Sequence, residues 1–325
     1  MDRFPLSAHQ LDRFRGDATA LGVNDRFAVA VSGGPDSLAL LLLAAASFPE
    51  MVEAATVDHG LRNESADEAG FVAEICRALG VQHEIVQAKV DTARASRQRA
   101  AREARYVALD EWMERRSLRI IATAHHVDDQ AETLLMRLVR GSGTGGLAGV
   151  RRRSPLPVPG SDRLVIRPLL GWRRSDLRAI VEDAGIAPVD DPSNRDCKFD
   201  RVRIRQRLAE NGWLDPAALA RSAAALAEAE DALGWTTRKL WSEQVRPLEG
   251  KLRFDPEGIP AEIRRRILLG IIEELADAAA APRGEEIGRL LETLAEGGTA
   301  TLAGVQCSGG SVWLFGRAPA RRGSG

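Results

Sequence analysis

The stretch AVAVSGGPDSLAL, residues 28–40, breaks an apolar run with Ser32-Gly33-Gly34-Pro35-Asp36-Ser37 and then resumes it. Its two flanks differ in kind. FAVAVS (27–32) reads as a buried strand, and the leucine- and alanine-rich segment from 37 to about 47 as a helix. The alternation continues along the chain. MVEAATVD (51–58), HEIVQAKV (83–90) and LRIIATA (118–124) read as strands, separated by helices over about 66–79 and 92–116 and followed by one over about 127–140. This spacing predicts an α/β fold with a parallel, Rossmann-like sheet and helices on both faces. In such sheets ligands bind beyond the carboxyl ends of the strands, which places residues 32–37 at a site.

The residues of that loop suit a phosphate. Two glycines let the backbone approach a ligand without Cβ clashes, and the N–H groups at a helix start favour an anion. Ser32 and Ser37 add hydroxyls, whereas Asp36 would repel a phosphate unless a divalent cation lay between them, which implies Mg²⁺. The plainer alternative is a tight turn in which Asp36 or Ser37 caps the helix. No Walker motif is present, and Gly141-Ser-Gly-Thr-Gly-Gly146 fits GxGxxG but follows a helix instead of a strand, so the dinucleotide reading fails.

Two further strand ends reach the same rim. VDHGLR (57–62) brings Asp58, His59 and Arg62, and TAHHVDDQAETLL (123–135) brings two histidines and three acids. His125-His126 followed by Asp128-Asp129 has no familiar zinc spacing. Asp129 and Glu132 lie three apart on one helix face, where paired carboxylates suit an ammonium group. The alternative is that acids in a first helical turn simply complement the helix dipole.

Composition bounds the rest. At 325 residues the chain is long enough for two domains, expected at 1–207 and 208–325. Three scattered cysteines exclude a disulfide framework or a CxxC motif and suit a reducing cytoplasm. No run is apolar enough to span a bilayer, and the first seventeen residues carry no signal-peptide core, so no membrane partner is expected. Net charge is −1, yet residues 137–207 carry 16 basic against 8 acidic residues, which leaves −9 for the remainder. A local excess of this size suits a polyanion. The segment 141–162 reads as loop, and from about 216 alanine-rich helices take over, ending in a small hairpin across Ser308-Gly309-Gly310.

SGGPDS, VDHGLR, AREARY (101–106), TAHHVDDQAET, RGSGTGGLAGV, RPLLGWRRSDL and DDPSNRDCKFDRVRIR occur in the order found in tRNA(Ile)-lysidine synthases, and the chain resembles that family over about 28–207. The resemblance implies an adenine-nucleotide α-hydrolase-like catalytic domain with a smaller, mainly helical tRNA-binding domain. It implies that ATP adenylates the C2 carbonyl oxygen of the wobble cytidine in tRNA(Ile) with a CAU anticodon, after which the ε-amine of free L-lysine displaces AMP. Carried over by motif, Ser32, Gly33, Gly34, Pro35, Asp36 and Ser37, with Asp58 and His59, would bind ATP, and Asp36 would hold the metal. Asp129 and Glu132 would recognise lysine with His125 nearby, and Arg105 would stabilise charge at the phosphates.

Arg201, Arg203, Arg205 and Arg207 alternate with Val202, Ile204, Gln206 and Leu208, a period that suits a strand face, with a helix start as the other reading. The bland alternative is a solvated face. Beside Arg151, Arg152, Arg153, Arg173 and Arg174, a contact to the tRNA backbone is the better reading. Val202 departs from the family, which tends to carry Asn there. For the helical segment of 208–297 the alternative is packing or dimerisation, which would make a homodimer.

Three other functions compete. A tRNA thiolase of the same superfamily would need paired cysteines or cluster ligands, and Cys76, Cys197 and Cys307 are far apart. An amide-forming synthetase would need an ammonia source that Met1-Asp2 does not offer. A nucleotide-gated RNA-binding protein without catalysis would have no need of Asp36, Asp129 and Glu132 together.

Overall fold

A computed structural model describes residues 4–58, 64–89, 97–189, 200–276 and 284–318. The chain divides into two compact units, Met1–Ala227 and Glu228–Gly325. No helix among the described residues is long and apolar enough to cross a membrane.

In the first unit α1 (Ala8–Ala20) precedes β1 (Phe27–Ala30), α2 (Pro35–Ser47), β2 (Val52–Asp58), α3 (Glu64–Leu79), β3 (Gln82–Gln87), α4 (Arg97–Arg115), β4 (Ile120–Ala122) and α5 (Val127–Val139). There follow α6 (Thr144–Leu147), β5 (Arg153–Pro155), β6 (Leu164–Ile166), α7 (Arg174–Asp183) and α8 (Asp200–Glu210), and α9 (Pro216–Gln244) runs across the division. The sheet order is β3-β2-β1-β4-β6-β5, parallel except for β5, which is antiparallel to β6. From β1 the chain builds outward through β2 and β3, then returns to add β4 on the other side. The crevice of an open α/β sheet forms at such a reversal.

Alternation along the strands sorts the core into two layers. Phe27, Val29, Val31, Ala54, Ala122 and Ile166 share one buried cluster with Phe14 of α1, the leucines of α2 and Leu177, Ile180 and Val181 of α7. Ala28, Ala55, Ile121 and Val165 share the other with Tyr106, Leu109, Trp112 and Met113 of α4. Every residue of α2 from Leu38 to Ala44 is buried, as its unbroken apolar run requires.

The segment 141–162 is more ordered than its composition suggests, because α5 organises it with polar side chains. Gln130 donates to Val150 O at 2.8 Å and accepts from Val150 N at 2.6 Å, and Arg137 donates to the carbonyls of Gly146 and Gly149. These long-range bonds carry no local period, and β5 is too short to show one.

In the second unit β7 (Val245–Leu248), β8 (Lys251–Phe254), β9 (Thr299–Leu302), β10 (Val305–Ser308) and β11 (Trp313–Arg317) form an antiparallel sheet of order β7-β8-β11-β10-β9. Helices α10 (Ala261–Leu275) and α11 (Gly284–Ala295) contribute Ile263, Ile267, Ile271, Leu290 and Leu294 to a core with Phe254, Val305, Trp313 and Phe315. The expected hairpin is the β10–β11 pair, and it is one part of this larger sheet. Two tighter hairpins turn at Glu249-Gly250 and Ala303-Gly304, all four residues at positive φ.

Candidate active site

Because β1 and β4 are parallel neighbours, the loops that leave them emerge at the same rim. Between them opens a cleft of about 580 Å³. Its floor is made by Ala30, Val31, Ala55, Thr56 and Val57, one wall by Ser32, Gly34, Pro35, Asp36 and Ser37, and another by Thr123, Ala124, His125 and Asp129. Glu68, Arg102, Arg105, Tyr106, Leu109 and Arg201 complete it.

The first wall is preshaped by its serines. Ser37 Oγ accepts from Ser32 N at 3.1 Å, donates to Gly34 O at 2.9 Å and lies 3.2 Å from Ser32 Oγ. Gly33 turns the chain at φ +80°, a conformation that side chains disfavour. Gly34 is the N-cap of α2, with Pro35 in the first turn and no side chain capping the helix. Asp36 and Ser37 are therefore not caps, and the N-terminal N–H groups have no side-chain acceptor. Asp36 Oδ1 is buried and has no hydrogen-bond partner. Burial opposes ionisation of Asp36, but the imidazole of His126 and the charges of Arg174 and Arg178 outweigh it and hold the carboxyl below its ordinary value.

The three acids of α5 separate in role. Asp128 Oδ2 accepts from Arg174 N at 2.8 Å, at the start of α7. Asp129 faces the cleft and closes a capping box, accepting from His126 N at 3.1 Å. Glu132, 1% exposed, is bound by Arg174 at 2.9 Å, by Arg201 at 2.8 Å and by Arg205 at 2.8 Å. Burial raises the Glu132 pKa, but Arg205, Arg201 and Arg174 overcome it and bring it down to about 2.

The arginine run 201–207 is helical. On α8 the period-two spacing sends Arg201 and Arg205 one turn apart, both inward to Glu132, and Arg201 also reaches Asp129 at 2.7 Å. Arg203 points away, 60% exposed, and pairs with Asp200 on its own helix. Val202 is buried at 7%, so an apolar residue there is packed. Arg151 donates to Ala227 O, Arg152 pairs with Asp17, and Arg153 lies on the edge strand β5. The structure thus does not gather the six arginines onto one face.

Arg105 lines the cleft, with Arg102 one turn earlier, and both guanidiniums stack on the Tyr106 ring at 5.2 and 5.1 Å. His125 accompanies them, with Nδ1 3.0 Å from Thr123 Oγ1. Burial, then the charges of Arg167, Arg201, Arg102 and Arg105, push its pKa down to about 3, so the ring is neutral. Asp58 ends β2 and accepts from Gln87 at 3.0 Å, while His59, Arg62 and the 190–196 motif lie outside the described residues. Sequence reasoning passed over Arg102 and Glu68, read Arg174 as a tRNA contact where it binds Glu132, and weighed His126 only as a zinc ligand. The AREAR repeat at spacing three was the available signal for Arg102, and only the fold could reveal the others.

A PP-loop domain family matches residues 7–211. tRNA(Ile)-lysidine synthases of Novosphingobium aromaticivorans and Zymomonas mobilis are 48% and 42% identical to the chain, over 95% and 92% of it and 94% and 91% of their own lengths. That of Ruegeria pomeroyi is 41% identical over 86% of the chain and 68% of its own length. Among solved structures, a U34-tRNA thiolase from Methanococcus maripaludis aligns with a TM-score of 0.55 at 18% identity, over 68% of this chain and 79% of its own, a likeness of fold alone. With this cleft and these relatives, the chain belongs to the tRNA(Ile)-lysidine synthase family.

Proposed function

We infer that the protein is a ligase that joins free L-lysine to C2 of the wobble cytidine of tRNA(Ile) with a CAU anticodon at the expense of ATP. The observation that carries this reading is that Asp36, from the β1 end, and Asp129, from the β4 end, share one cleft with the serine–glycine loop. In the first step the cytidine C2 oxygen attacks the α-phosphate of ATP, forming an O–P bond and releasing pyrophosphate. In the second the lysine ε-amine attacks C2, the C–O bond to AMP breaks, and the amine gives up its proton.

The uncapped start of α2 with Ser32 and Ser37 receives the phosphates. Asp36 fits Mg²⁺, because its buried Oδ1 lacks any other partner and such ions take one or two carboxylates plus phosphate oxygens. Bound there, the ion would neutralise charge on the phosphates. Arg105 and Arg102, which line the cleft, would stabilise the charge that develops on the leaving pyrophosphate. The burial and the arginine charges that keep His125 neutral also favour loss of a proton from the incoming ε-ammonium. Asp129 faces the cleft and receives that ammonium, while Glu132 acts from behind it by holding Arg201 and Arg205. Arg203, Arg152 and Arg153 are exposed and free to meet tRNA phosphates once their surface partners are exchanged.

A thiolase reading finds no support among the described residues, since Cys76 and Cys307 are each buried with the thiol pushed up to about 12. The direct test incubates the protein with ATP, Mg²⁺, lysine and unmodified tRNA(Ile), then weighs the digested nucleosides. A lysine-sized gain on cytidine is expected; its absence on properly folded tRNA would overturn the reading.

A further inference from the structure

The imidazole of His126 has no part in the chemistry above, yet it touches both sides of the cleft. It is 0% exposed and sits at the N-cap of α5. Nδ1 accepts from Asp129 N at 3.4 Å and lies 3.6 Å from Asp128 Oδ2, which leaves Nε2 to face the other two acids. Nε2 lies 3.4 Å from Asp36 Oδ2 and 3.5 Å from Asp129 Oδ2, and it forms a well-directed hydrogen bond to neither. Buried polar atoms are seldom left without a partner in this way, and each such case calls for an explanation. Here one ring nitrogen stands between two carboxylates that would otherwise repel each other.

We propose that His126 is a positioning residue for this reaction: its Nε2 edge spaces the Asp36 carboxylate, on the phosphate side, from the Asp129 carboxylate, on the amino-acid side. The two acids belong to different helices, α2 and α5, and reach the cleft from strands at either side of the reversal. A shared neighbour makes their separation a property of one side chain. Nδ1 orients that edge through the backbone of the very residue whose carboxylate it faces. Arg174, 4.0 Å from Asp129, and Arg178 add positive charge near the acids. The proposal rests on the roles assigned to Asp36 and Asp129 above.

Two substitutions separate positioning from packing. His126→Asn keeps an acceptor for Asp129 N, since Asn is a favoured N-cap, but removes the distal edge of the ring. His126→Gln supplies an amide group near the place of Nε2. For each full-length protein, measure thermal unfolding, Mn²⁺ affinity by electron paramagnetic resonance with a non-hydrolysable ATP analogue, and KM for lysine. The Asn variant is expected to unfold within a few degrees of the parent while Mn²⁺ affinity and lysine KM each worsen about tenfold, as the two carboxylates lose the group that separates them. The Gln variant recovers part of both. Unchanged values in the Asn variant, or losses that follow thermal stability with no recovery by Gln, overturn the proposal. If the parent binds no Mn²⁺ with the analogue, or releases no AMP in response to lysine, the roles of Asp36 and Asp129 fall, and the proposal with them.

Discussion

Arg201 donates its Nε–H to Glu132 Oε2 at 2.8 Å although 69 positions separate them in the chain. With Arg174 and Arg205 on the same carboxylate, Glu132 ties α5, α7 and α8 together. Its pKa in the folded protein, about 2, lies below the 4.5 of the free group, so its stabilisation is complete above about pH 4.5 and is lost as pH falls toward 2. The shift corresponds to ~3 kcal/mol. Glu132→Gln is expected to lower the unfolding free energy by about that much at pH 7, with the difference from the parent shrinking below pH 4.5. Urea denaturation at pH 7 and pH 3.5 checks it; an equal difference at both would refute the assignment.

Asp36→Asn should abolish AMP formation by ~100-fold or more while tRNA binding persists, because it removes only the charge beside the phosphates. Chromatographic AMP assay and filter binding measure the two separately. Retained AMP formation would remove Asp36 from the metal site.

Gly33→Ala adds a Cβ at φ +80°, where it would meet Val189 Cγ2 at 3.2 Å. The left-handed backbone makes this cost ~1–2 kcal/mol, and a shifted loop should bind ATP more weakly. Denaturant midpoints and nucleotide titration report the two effects.

Reversing charge at Arg203 leaves the Glu132 cluster intact, unlike any change at Arg201 or Arg205. Arg203→Glu should therefore weaken tRNA binding with no loss of fold stability, and lower the slope of log affinity against log salt by about 1. An unchanged slope would place Arg203 off the tRNA surface.

The strands and α2 were legible because buried runs and a loop rich in glycine and serine leave a strong local pattern. AVAVSGGPDSLAL alone marks β1, the loop and α2, and the family motifs mark the rim. The direction in which each charge points was not legible. An arginine at 201 or 205 reads as surface until α8 is seen against Glu132, and His126 reads as the neighbour of His125 until β1 and β4 are paired. The five-stranded sheet was missed beyond one hairpin because β8 joins β11 from the far side of α10 and α11 in sequence, a long-range pairing that no local pattern shows.

Three alanines line the cleft at the strand ends, Ala30, Ala55 and Ala124. These positions lie where the two core layers end, and at the half-buried Ala30 and Ala124 a larger apolar side chain would gain ~0.8 kcal/mol per methylene it buries. Such a substitution would strengthen the fold and fill the space a nucleotide needs. Stability and room compete here for the same volume, as they do where function needs an opening in a packed interior. The candidate site is a portion of hydrophobic core left unbuilt, and stabilising changes belong everywhere except beneath it.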